Sequence, residues 1–147
     1  MTMMQKMQAK KSKKGFTLVE LVIVIAILAI LAAIAIPVIT TTINSSKIST
    51  MESDRTTIDM VLKEAVNTYK ASITTTTYAG ATAASATVSH VLLANNLDSA
   101  LLNSRTIGGS TFSFVWDNGA VEIAGPGYSA SGTALTAGLA VSALTTM

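Results

Sequence analysis

Residues 21–36 (LVIVIAILAILAAIAI) form an unbroken run of sixteen apolar side chains, more than a small domain can cover with the rest of its own chain. The run is rich in β-branched residues. Even so, it is about three times as long as an ordinary strand, and length decides for a helix. With Thr17, Glu20 and Pro37 tolerated, the segment extends over residues 16–39. As a helix it reaches about 36 Å, enough to cross a hydrocarbon core of about 30 Å. Lys6, Lys10, Lys11, Lys13 and Lys14 precede it with no acid among them. The positive-inside rule therefore predicts a cytoplasmic N-terminus, with everything after residue 40 on the outer side.

Beyond Pro37 the apolar positions thin out to Ile39, Ile43, Ile48, Met51, Ile58, Leu62, Ala65 or Val66, Tyr69 and Ile73. They are spaced mostly by three, four or multiples of these, which describes an amphipathic helix with one apolar stripe. Asp59 with Lys63, and more loosely Glu52 with Arg55, are placed to pair on its wet face. A single helix over residues 16–73 would be about 87 Å long. Its first half must then be covered by lipid or by copies of itself.

Residues 74–89 (TTTTYAGATAASATVS) have no apolar period and read as a loop, whose threonine run, residues 74–77, is glycosylated or simply solvated. Val91, Leu92, Leu97, Leu101 and Leu102 predict a short helix over residues 88–103. Phe112, Phe114 and Trp116 then alternate with Thr111, Ser113 and Val115. Asn118-Gly119 follows, and Val121 and Ile123 come after it, a sequence pattern for a hairpin with a type I′ turn. The three aromatic rings are expected in the sheet core. The tail, residues 125–147, opens with a turn and allows a further strand around residues 135–141, with a helix as the alternative because the stretch is rich in alanine. The expected class is α+β: a long N-terminal helix, apolar then amphipathic, packed against a small C-terminal antiparallel sheet. The expected divisions are residues 1–15, 16–39, 40–73 and 74–147.

Charge and residue inventory narrow the chemistry. The formal charge is +2 and the pI near 9.0, but five of the ten basic residues lie in the first fourteen positions, and from residue 16 onward the balance is −3. A nucleic-acid role for the basic leader is therefore not expected, since the remaining chain would repel phosphates. The absence of cysteine excludes disulfides, a thiolate zinc site and a thiol nucleophile. The one histidine, His90, is expected at the surface or at a helix cap rather than in catalysis. Asp98, Asp117 and Glu122 are too scattered to argue a calcium site. No phosphate-binding glycine loop is present. No enzymatic activity, cofactor or metal is expected.

At the start of the apolar run stands Lys13-Lys14-Gly15-Phe16-Thr17-Leu18-Val19-Glu20. An ordinary secretory signal would carry a small-x-small cleavage site after its apolar region, and Ala33-Ile34-Ala35 is a poor one, buried within the run. The alternative is cleavage before the run, at Gly15. A short basic leader ending in glycine, then FTLVE, then an apolar helix with a proline near its end closely resembles the class III signal of type IV pilins and pseudopilins. The resemblance covers about residues 10–40; the remainder is similar only in architecture.

The resemblance implies several expectations. A membrane prepilin peptidase and methyltransferase would cut between Gly15 and Phe16 and methylate the new amine of Phe16, leaving 132 residues. An assembly platform and its ATPase would move the subunit from the membrane into a helical homo-oligomer on the cell surface. Such a filament would serve adhesion, twitching motility, biofilm formation or DNA uptake. A pseudopilin of a type II secretion or competence system is the alternative. Glu20 would pair with the Phe16 amine of a neighbouring subunit, which fits the cost of placing a lone carboxylate near lipid. Pro37 deletes a helical hydrogen bond and clashes with the Ala33 carbonyl, so a kink or local melting is expected there, and the resemblance to related filaments implies that it reaches over about residues 29–37. Ala29 stands where many relatives carry glycine. The disulfide that commonly closes the C-terminal loop in relatives is missing, so packing and hydrogen bonds must hold the tail.

Overall fold

The computed structural model describes residues 15–71 and 76–146. The leader lysines, and Ile73 at the end of the expected stripe, lie outside those residues. One α-helix, α1, runs Leu18–Lys70 and carries Pro37 within it. By its contacts the chain divides into two units, one ending at Thr41 and the other spanning Thr42–Met147. The architecture is α+β, as the periodicities predict.

In the first unit the described apolar residues are all exposed in the isolated chain, and α1 is long and apolar enough to cross a membrane. The helix remains α-helical through Pro37. Just beyond it, the Thr40 hydroxyl points at the carbonyls of Ile36 (3.2 Å) and Pro37 (2.9 Å), and Thr41 Oγ1 donates to the Val38 carbonyl at 2.8 Å. These local bonds satisfy the hydroxyls within the helix, so threonine is tolerated at the end of an apolar segment.

The second unit is built on the amphipathic half of α1. Met51, Ile58, Leu62, Ala65 and Val66 are buried, with Ile48 and Tyr69 packed beside them, whereas Ile39 and Ile43 remain exposed. A tiny hairpin follows, β1 (Thr77–Tyr78) and β2 (Ala81–Thr82), inside the stretch expected to be loop. Its turn places Ala79 at φ 46° and Gly80 at φ 88°.

The helix expected over residues 88–103 is shorter: α2 spans Val88–Ala94. Asn96 adopts φ 57°, the Leu97 N–H reaches back to the Leu92 carbonyl at 2.9 Å, and the Asn96 N–H reaches Leu93 at 3.1 Å. This pair of bonds is a Schellman stop. Asp98 then accepts the Ala100 N–H at 2.8 Å and starts a separate 3-10 turn, Ser99–Leu102. The apolar period therefore continued across two elements divided by paired asparagines.

The sheet comprises β3 (Arg105–Ile107), β4 (Ser110–Asp117), β5 (Ala120–Ala124) and β6 (Thr133–Ala134), with β4 pairing antiparallel to the other three. The predicted hairpin is β4–β5, in register Trp116↔Val121, and Asn118 and Gly119 have the positive φ values, 51° and 80°, of a type I′ turn. Phe112, Phe114 and Trp116 are buried as expected. β3 was not anticipated, although Gly108-Gly109 between short polar–apolar alternations carries the same kind of turn pattern, with φ 60° and 82°.

The tail differs from the strand expected around residues 135–141. Only Thr133–Ala134 pairs as strand, and a 3-10 turn covers Val141–Thr145. Between them the backbone serves α2: the Val88 N–H donates to Leu139 O at 2.8 Å and the Ser89 N–H to Ala137 O at 3.0 Å. Those amides begin a helix and have no partner inside it, so the tail supplies their acceptors. Leu135, Val141 and Leu144 are buried, and Trp116 Nε1 donates to the Leu144 carbonyl at 3.0 Å. The tail thus closes the core without a disulfide.

Candidate functional site

Gly15, Phe16 and Thr17 are not helical, and α1 begins at Leu18. Thr17 occupies the N-cap position. Its Oγ1 accepts the Glu20 N–H at 3.3 Å, and its carbonyl accepts the Leu21 N–H at 3.3 Å, the first helical bond. Thr-x-x-Glu is the sequence pattern of a capping box, in which the cap hydroxyl bonds the amide three residues on. The Glu20 carboxylate lies in the first turn, where the helix dipole favours negative charge.

Gly15, Phe16, Thr17 and Glu20 line one shallow hollow at this helix start. Phe16 is 85% exposed. Among the described residues no ion pair includes Glu20; the four ion pairs all lie in the second unit. A Cβ added at Gly15 would meet nothing within 4 Å. Packing among the described residues therefore gives no reason for glycine at position 15. Pro37 stands apart from the hollow, more than four helical turns along α1.

Three of the four residues singled out by sequence thus come together at one helix end. Thr17 was not among them. Its spacing from Glu20 was the available indication.

Several other titratable groups have structural partners. His90 Nδ1 accepts the Thr87 N–H at 3.2 Å and lies 2.8 Å from Thr87 Oγ1, which places the histidine at the start of α2. Asp117 is bonded by Asn118 and Ser131. Arg55 Nη1 approaches Glu122 at 3.9 Å and donates to the Val121 carbonyl at 3.1 Å. Tyr128 donates to Glu52 at 2.9 Å. Desolvation raises the Tyr128 pKa above 10.0; its hydrogen bond to Glu52 and that carboxylate's charge add to the shift, and Arg55 opposes it. Among the described residues no three His, Cys, Asp or Glu side chains gather as a metal cluster.

Comparison with known families places a match at residues 10–36, to the prokaryotic N-terminal methylation motif. No curated protein and no solved structure matches the chain. The matched segment takes in Gly15, Phe16, Thr17 and Glu20 and ends one residue before Pro37.

Proposed function

We propose that this chain, whose residues 10–36 carry the class III signal of a type IV pilin-like precursor, is a major structural subunit of a type IV pilus. Its work is structural rather than catalytic. The precursor is anchored in the membrane by residues 16–39 with its leader in the cytoplasm. A prepilin peptidase cuts between Gly15 and Phe16, and the new amine is methylated. An assembly platform driven by an ATPase then extracts the subunit into an extracellular helical filament.

One observation carries this reading: a membrane-length apolar segment, exposed along its length in the isolated chain, lies largely within a match to the N-terminal methylation motif. Lipid covers such a segment before assembly. Copies of the same segment cover it afterwards, since leaving its aliphatic side chains to water outside the membrane would cost about 1.5–3 kcal/mol each. Within that packing, Glu20 pairs with the Phe16 amine of a neighbouring subunit, and the pair favours one register over its slips. A kink or local melting before Pro37 accompanies assembly, because the proline already withholds the N–H that the Ala33 carbonyl would take.

Shearing cells and determining the mass of the released protein tests the proposal. Filaments made of a chain that starts at methylated Phe16 are expected. A protein that stays in the membrane with residues 1–15 attached would overturn the reading. A processed chain that stays in the cell envelope without shearable filaments would assign it to the pseudopilins of secretion or competence systems instead.

A further inference from the structure

We infer that Thr17 is a positioning residue for leader removal: its side chain ends α1 one residue after itself and so keeps the Gly15–Phe16 peptide out of the helix. The inference rests on cleavage at that bond. It goes further in assigning a role to a residue that is neither the cleavage point nor the charged group of the motif.

The first amides of a helix need acceptors from outside it. At the start of α1 the Thr17 hydroxyl oxygen takes the Glu20 N–H. Without that oxygen the Glu20 amide finds its acceptor by helical geometry in the Phe16 carbonyl, and the Val19 amide finds its own in the Gly15 carbonyl. The second of these is the carbonyl of the bond to be cut. Fraying in the opposite direction, into residues 18–21, would leave amides unpaired beside lipid, which is costly. Loss of the cap therefore extends the helix outward, across the scissile peptide. A peptidase that grips main chain through hydrogen bonds needs that peptide extended, with its N–H and C=O groups available. Residues 15–17 have the required non-helical state, and the family match spans all three.

The test uses the full-length precursor co-expressed with a prepilin peptidase, following leader loss by pulse labelling. Thr17→Val keeps the shape and removes the acceptor, whereas Thr17→Ser and Thr17→Asn change the shape and keep an acceptor. The expected result is that Ser and Asn variants are cut within about twofold of the wild-type rate and the Val variant about three- to tenfold more slowly, the population change that follows loss of an N-cap. Equal rates for Val and wild type would overturn the inference, as would an Asn variant as slow as Val, since the peptidase would then be reading side-chain shape. A wild-type precursor that is not cut between Gly15 and Phe16 would overturn the underlying cleavage reading, and the inference with it. A second measurement does not depend on insertion or on the enzyme. In detergent micelles the carbon-13 shift of the Gly15 carbonyl should move toward helical values in the Val precursor and not in the Asn precursor. An unchanged shift in the Val precursor overturns the inference.

Discussion

Asp59 on α1 accepts the backbone N–H of Val121 on β5 at 2.8 Å, across a separation of 62 residues. Its neighbour one turn earlier, Arg55, donates to the carbonyl of the same Val121 at 3.1 Å. Val121 faces Trp116 in the ladder, and these two helix side chains take the place that a further strand would occupy on the outer edge of β5. Closing an edge in this way also protects it from pairing with another chain.

Replacing Asp59 therefore has an asymmetric effect. Asp59→Ala leaves the Val121 amide without its acceptor and is expected to cost about 1–3 kcal/mol. Asp59→Asn keeps an acceptor oxygen and loses mainly the exposed Lys63 pair at 2.7 Å, a change of about 0.5 kcal/mol. Urea unfolding of a fragment beginning at Thr42, the start of the second unit, separates the two. Equal losses would show that the amide bond contributes nothing. The fragment itself is expected to be only modestly stable, and a cooperative melt well above about 70 °C would contradict that.

Alkali should loosen the contact between Tyr128 and Glu52. The phenol's pKa is raised in the folded state, first by desolvation and then by Glu52. A raised value means that the neutral phenol is the form favoured by folding. Its contribution is whole below the unfolded value of about 10 and is lost as pH rises through the folded one. Melting temperature followed from pH 8 upward should fall more steeply for wild type than for Tyr128→Phe above about pH 10. Parallel curves would remove Tyr128 as the cause.

Gly132 is required by close approach rather than by turn geometry. A Cβ there would overlap the Trp116 carbonyl, a backbone atom that cannot move aside without disturbing β4. Gly132→Ala is expected to destabilise the second unit by about 1–3 kcal/mol, whereas Gly138→Ala, where a Cβ meets nothing within 4 Å, should be nearly neutral. Denaturant midpoints of the two variants make the comparison.

Glu20→Ala separates processing from assembly. The carboxylate has no ion-pair partner among the described residues of the single subunit, so leader removal and membrane anchoring should proceed. Filament yield in sheared fractions should drop by tenfold or more, on the order of a lost buried charge pair. Normal yield from a fully processed variant would end the pairing with the Phe16 amine.

The amino-acid sequence by itself determined the long helix, its apolar and amphipathic halves, the β4–β5 hairpin and the motif around Gly15, Phe16 and Glu20. Each rests on local chemistry: side-chain period, the left-handed turn of Asn118-Gly119, and short-range order at one helix start. The stop at Asn96 was also local, but the leucine period running past it concealed it. Tertiary structure alone decided how the tail is used. Residues 135–141 have no period because their backbone groups answer to α2, to Phe114 and to Ala86, and their side chains fill space left by elements distant in sequence. The same holds for Asp59 and Arg55. Their spacing from Lys63 and Glu52 foretold ion pairs along the helix, and those pairs form. Their stronger role, capping Val121, needed the sheet in place, because an edge strand's unpaired amide and carbonyl exist only once the strands are assembled.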